Sequence, residues 1–177
     1  MNPGKKVLGL FSLLLIVTLS SGQGSLATNP IAGISGTMNT ADKPQSKTWE
    51  YDGSWWAVFP NADGTFIWRL DKGNTWTSTL TISKNSKTRA DCKKVGERTY
   101  ILLFDGADSE LVNTRYNAEI STYEWLNADI PSNSLSFNAT TETATIEMDG
   151  KDVMWLAYEE DNAIKVNSSV YPYRVWE

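Results

Sequence analysis

The chain has 177 residues, a net charge of −5 and a pI near 4.8, with one cysteine and no histidine. Without histidine, Ser-His-Asp and Cys-His centres and most zinc sites are excluded, because histidine is the usual general base and the commonest metal ligand. The lone cysteine, Cys92, excludes an intrachain disulfide framework, and an acidic chain with no basic stripe argues against nucleic acid as a partner.

Residues 1–22 read as a secretory signal peptide: Lys5-Lys6, an apolar run from Val7 to Leu19, then small residues at Ser20, Ser21 and Gly22. The run falls short of the roughly 20 apolar residues a transmembrane helix needs. The expectation is export to the extracellular space or the periplasm, with no membrane insertion after signal cleavage. Residues 23–46 are rich in Ser, Thr, Asn, Gly and Pro, and are expected to form a flexible linker that adds nothing to the core. Residues 47–177 are then the folded domain.

Within that domain the chain repeats itself. At a separation of 54, Ala90 meets Ala144, Cys92 meets Ile146, Gly96 meets Gly150, Ile101 meets Trp155 and Phe104 meets Tyr158. At a separation of 45, residues 55–59 meet residues 100–104. Each unit reads as four short strands. They are expected at 47–51, 54–59, 65–70 and 75–82, then 88–94, 99–104, 110–116 and 122–126, then 142–148, 152–158, 162–167 and 173–176. Turn signals separate them, among them Asp52-Gly53, Asp63-Gly64, Asp105-Gly106 and Asp149-Gly150. The runs 55–59, 100–104 and 153–158 are apolar at adjacent positions, which predicts strands covered on both faces. Cys92 falls inside a predicted strand, as a small buried side chain. The fold class that follows is all-β, with β-propeller-like four-stranded antiparallel blades in three repeats, about 47–86, 87–140 and 141–177. A β-sandwich is the alternative.

The turn after the third strand is the most specific signal. Residues 65–76 read T-F-I-W-R-L-D-K-G-N-T-W: an apolar strand, a polar turn at Asp71-Lys72-Gly73-Asn74, and a returning Trp76. The Asp side chain can bond backbone N–H groups two residues on, Gly73 supplies a positive φ, and Trp76 can pack back over the hairpin. This D-x-G-x-T-W resembles the Asp box, S-x-D-x-G-x-T-W, with Arg69 in place of the leading Ser. Together with the repeat, it makes residues 47–177 similar to the sialidase-like Asp-box β-propeller superfamily. The resemblance implies a structural turn at Asp71, Gly73 and Trp76. It implies no catalytic residue, because Arg69, Arg89, Arg98, Arg115 and Arg174 do not match the family's arginine triad. Members close rings of six or more blades, and three blades predict either a homodimer closing six or part of a longer ring.

Candidate sites follow from residue chemistry. Trp125, Tyr171 and Tyr173 stand in loops or at strand ends, where aromatic rings suit the C–H faces of sugars. The acidic turns Asn61/Asp63, Asp105/Asp108/Glu110 and 159–161 should gather at one face, with Asp105 and Asp108 as ligand candidates. Carboxylates there could hold Ca²⁺, although no Asp-x-Asp-x-Asp-Gly spacing is present, so no cofactor is expected. Asn138-Ala139-Thr140 and Asn167-Ser168-Ser169 match N-glycosylation sequons. The leading expectation is a secreted, non-catalytic binding module for a glycan or an extracellular protein. The alternative is a sialidase-like glycoside hydrolase, or a fragment of one, working through paired carboxylates.

Overall fold

A computed structural model describes residues 31–39, 43, 45–72 and 74–177. The signal-peptide assignment and Gly73 lie outside the described residues. Among the described residues, twelve strands form three antiparallel sheets, none closed into a barrel. The first holds β1 (Thr48–Tyr51), β2 (Ser54–Asn61), β3 (Gly64–Asp71) and β4 (Thr75–Ser83) in chain order. The middle sheet holds β5 (Arg89–Val95), β6 (Arg98–Phe104), β7 (Ser109–Asn117) and β8 (Thr122–Trp125), with β9 (Ser132–Leu135) on the same edge of β7. The third holds β10 (Ala144–Met148), β11 (Val153–Glu160) and β12 (Ala163–Val170).

Two strands depart from expectation. β8 pairs with Thr114–Asn117 and β9 with Ser109–Val112, so two short strands share one long edge. The polar run Ser132-Asn133-Ser134 gave β9 no apolar alternation to be seen by. The expected strand at 173–176 does not join a ladder. Tyr173 (φ 61°) turns inward, and only Glu177 exchanges backbone hydrogen bonds with Ser168, at 2.7 and 3.0 Å.

The sheets stack face to face, and each junction is a hydrophobic core. Between the first and middle sheets lie Trp49, Trp56, Val58, Ile67, Ile101, Val112, Tyr116 and Tyr123. Between the middle and third lie Tyr100, Leu102, Phe104, Leu111, Leu156, Met154 and Tyr173. Cys92 is buried in the first junction, where desolvation raises its thiol pKa. Only the middle sheet has neighbours on both faces. That is why Tyr100–Phe104 is buried throughout, whereas Trp55 in β2 and Trp155 in β11 are exposed despite equally apolar surroundings in sequence.

The repeat is real in register but slipped by one residue from the gapless alignments. β1–β2 turns at Asp52-Gly53, both with positive φ, and β5–β6 turns at Gly96-Glu97, so Tyr51↔Ser54 matches Val95↔Arg98 at a separation of 44. The β10–β11 turn is one residue longer: Asp149 N donates to Val153 O (3.0 Å) around Gly150-Lys151-Asp152. The separation is therefore 54 on β10 (Cys92 with Ile146) and 55 on β11 (Ile101 with Leu156). A one-residue slip exchanges the two faces of a strand.

The stretch expected as a linker touches the domain where it is described. Ala32 N donates to Asn74 O (2.9 Å), Thr37 N to Pro60 O (3.3 Å), and Lys43 pairs with Glu142 (2.6 Å). Ile34 and Met38 close over Phe59, Pro60 and Trp76, around a groove of about 460 Å³.

Candidate functional site

Three turns converge at one end of the first two sheets: β1–β2 at Asp52-Gly53, β3–β4 with Lys72 and Asn74, and β7–β8 ending at Ser121. Between them lies a depression of about 900 Å³, lined by Asp52, Trp55, Arg69, Asp71, Tyr116 and Ser121 among others. The strand pleat explains the lining. Trp56 and Arg69 are cross-strand partners on the face towards the middle sheet, whereas Trp55 points the other way and stays 53% exposed.

Arg69 is the fixed centre of the site. Its Nε donates to Asp71 Oδ1 (2.7 Å), its Nη1 donates to Ser121 O (3.0 Å), and its guanidinium carbon stands 6.0 Å from the centre of the Trp56 ring. Thr77 Oγ1 donates to Asp71 Oδ2 (2.5 Å). The Thr77 bond first, and then Arg69, hold the Asp71 carboxyl below its usual range, so it stays ionised at neutral pH. Tyr116 OH donates to Asp52 Oδ2 (2.6 Å), and this bond chiefly raises the phenol's pKa and keeps it protonated. The arrangement offers carboxylate acceptors held in place in the same depression as one exposed indole. Such a surface matches hydroxyl donors and an apolar ring face.

At the β3–β4 turn, Asn74 N donates to the Asp71 carbonyl (3.1 Å), and the Asp71 side chain accepts from Arg69 and Thr77 along the hairpin. Arg69, standing where the Asp-box pattern has Ser, supplies a charged donor. Trp76 is half-buried beneath residues 31–38.

The other predicted residues scatter. Trp125 and Tyr171 line a separate depression of about 590 Å³ with Arg115, Glu124 and Asn127. Tyr173 does not join them. It is a core residue, 1% exposed, edge-on to Tyr100 at 5.6 Å, and its ring is therefore not offered to a ligand. Asp105 and Asp108 frame the β6–β7 turn, at the opposite end of the strands from the large depression. Asp105 Oδ2 accepts from Asn85 Nδ2 (2.7 Å), its N–H donates to Ser109 Oγ (2.9 Å), and Asp108 N donates to Asp105 O (3.1 Å). Among the described residues, no three carboxylate or thiol side chains converge as a metal site. Asn138 lies in the loop before β10, its side-chain carbonyl accepting from Thr140 and Thr141, whereas Asn167 lies on β12.

No protein-family model matches the chain, and a search of curated proteins finds no match.

Trp55, Asp52 and Tyr116 were not singled out by sequence reasoning. The available signal was the pair Trp55-Trp56: adjacent strand residues face opposite ways, so one of the two must leave the inner face.

Proposed function

We propose that the chain is a secreted, non-catalytic binding module of propeller type, and that it takes a glycan in the depression around Trp55. The single observation carrying this reading is an exposed indole that lines the same depression as carboxylates already fixed by Arg69, Thr77 and Tyr116. Sugars present alternating C–H faces and hydroxyls, and rigid acceptors cost little ordering on binding. The propeller reading draws support from three sheets stacked in one sense, with β5 lying next to both β1 and β10. A glycosidase needs a carboxyl acid whose pKa is raised. Asp71 is shifted the other way, which favours binding over turnover.

The test is a glycan array of the chain from residue 31 onward, with a parallel hydrolysis assay on every ligand captured. Binding without turnover, lost at least tenfold in Trp55→Ala while the unfolding midpoint holds, is the expected outcome. Turnover abolished by Asp52→Asn or Asp71→Asn would establish the enzyme instead.

A further inference from the structure

We infer that the outer face of the third sheet is the interface of a homodimer, two copies packing this face on itself about a two-fold axis. The corrected repeat register carries the argument. Trp56, Tyr100 and Trp155 occupy the same place in β2, β6 and β11, facing the next sheet in chain order. Their exposures are 0%, 1% and 42%. Ile67, Leu111 and Val166 occupy the same place in β3, β7 and β12, cross-strand from Val58, Leu102 and Ala157, with exposures of 0%, 0% and 56%. At each place the first two members are buried by the following sheet and the third is equally apolar but uncovered. Ile164 and Val170 extend the same face and are more exposed still. Scattered apolar residues need no explanation, but a contiguous patch on one sheet face does.

The occupant follows from the opposite end of the stack. The outer face of the first sheet carries Trp55, Phe59, Phe66, Trp68, Leu70 and Trp76; residues 31–38 already lie on it through the bonds of Ala32 and Thr37, and Trp55 stays exposed. A six-sheet ring would need both end faces free. One continuous uncovered face per chain instead gives a closed, self-complementary pair. β11 and β12 are eight residues each, about 26 Å long at ~3.3 Å per residue, with three strands ~4.8 Å apart. Two such faces bury on the order of 1,000 Å² in total, the lower edge for a specific interface.

Light scattering behind a sizing column, on the mature chain from residue 23 onward, tests this between about 1 and 200 μM. Expected is a concentration-dependent dimer, with Val166→Glu and Ile164→Glu each raising the dissociation constant at least tenfold while circular dichroism and the urea midpoint stay unchanged. Trp68→Ala, on the first sheet's outer face, should leave the dimer intact. A monomer throughout the range overturns the inference. So does a dimer that Trp68→Ala weakens as much as Val166→Glu does, because the packing would then be head to tail.

Discussion

The two junctions between sheets bury equal numbers of aromatic residues but arrange them differently. In the first the rings form one cluster: Tyr116 and Tyr123 meet Tyr51 and Trp56, and Trp49 meets Tyr123, with ring centres 4.9–6.5 Å apart and mostly edge-on. One hydrogen bond inside it, Trp49 Nε1 to Tyr123 OH at 2.8 Å, satisfies both polar handles. In the second the rings fall into separate groups, Tyr100 with Tyr173 and Phe137 with Phe104 and Tyr158, and a buried carboxylate ties the two sheets together. Asp91 on β5 accepts from Ser46 N (2.9 Å) through one oxygen, and from Thr145 Oγ1 (2.5 Å) and Ile146 N (2.9 Å) on β10 through the other. A continuous ring cluster interlocks the first junction by shape, whereas in the second directional bonds to Asp91 fix the register of β5 against β10.

Two substitutions test that difference most directly. Trp56→Ala empties the centre of the first junction and should cost about 3–5 kcal/mol in urea unfolding. Asp91→Ala removes little volume but strands the Ser46 and Ile146 amides, and should cost about 2–3 kcal/mol. Asp91→Asn keeps an acceptor and should recover part of that loss. If Asp91→Ala proved neutral, the second junction would rest on packing like the first, and the contrast would collapse. Tyr123→Phe sharpens the same point at smaller scale. It keeps the ring and deletes the Trp49 acceptor, so the expected loss is about 1 kcal/mol.

This contrast also marks how much was legible in the sequence. Short strands with turn signals at Asp52-Gly53, Asp63-Gly64 and Asp149-Gly150 gave nearly every strand within a residue or two, because these turns dictate hairpins locally. What failed was anything set by neighbours. A slip of one residue in the repeat put Trp155 opposite Ile101, although it matches Tyr100, and a slip of one reverses inside and outside. Asp91 looked like one acid among 21, since nothing local announces that Ser46 and Thr145 will meet it. The site was less legible than the fold for the same reason. Trp125 and Tyr171 line one depression, but Tyr173 next door went to the core, and the Trp55 depression is assembled from three turns that span residues 52 to 121 of the chain.

The smallest expected effect separates the junctions by pH. Lys93 on β5 pairs with Glu147 on β10 across the second junction, and its hydrogen bond is the chief cause that lowers the Glu147 pKa. A carboxyl whose folded pKa is depressed adds stability above its unfolded value, ~4.3 for Glu, and loses it as pH falls through the folded value. Glu147 is largely exposed, so solvent screening keeps the contribution under about 1 kcal/mol. Urea midpoints of the native chain and Glu147→Gln should therefore differ slightly at pH 7, converge below pH ~4, and converge at pH 7 as well in ~1 M salt, where the Debye length is about 3 Å. A difference that persisted at low pH would mean that Glu147 acts through its packing on β10. The second junction would then depend on Asp91 alone for its polar register.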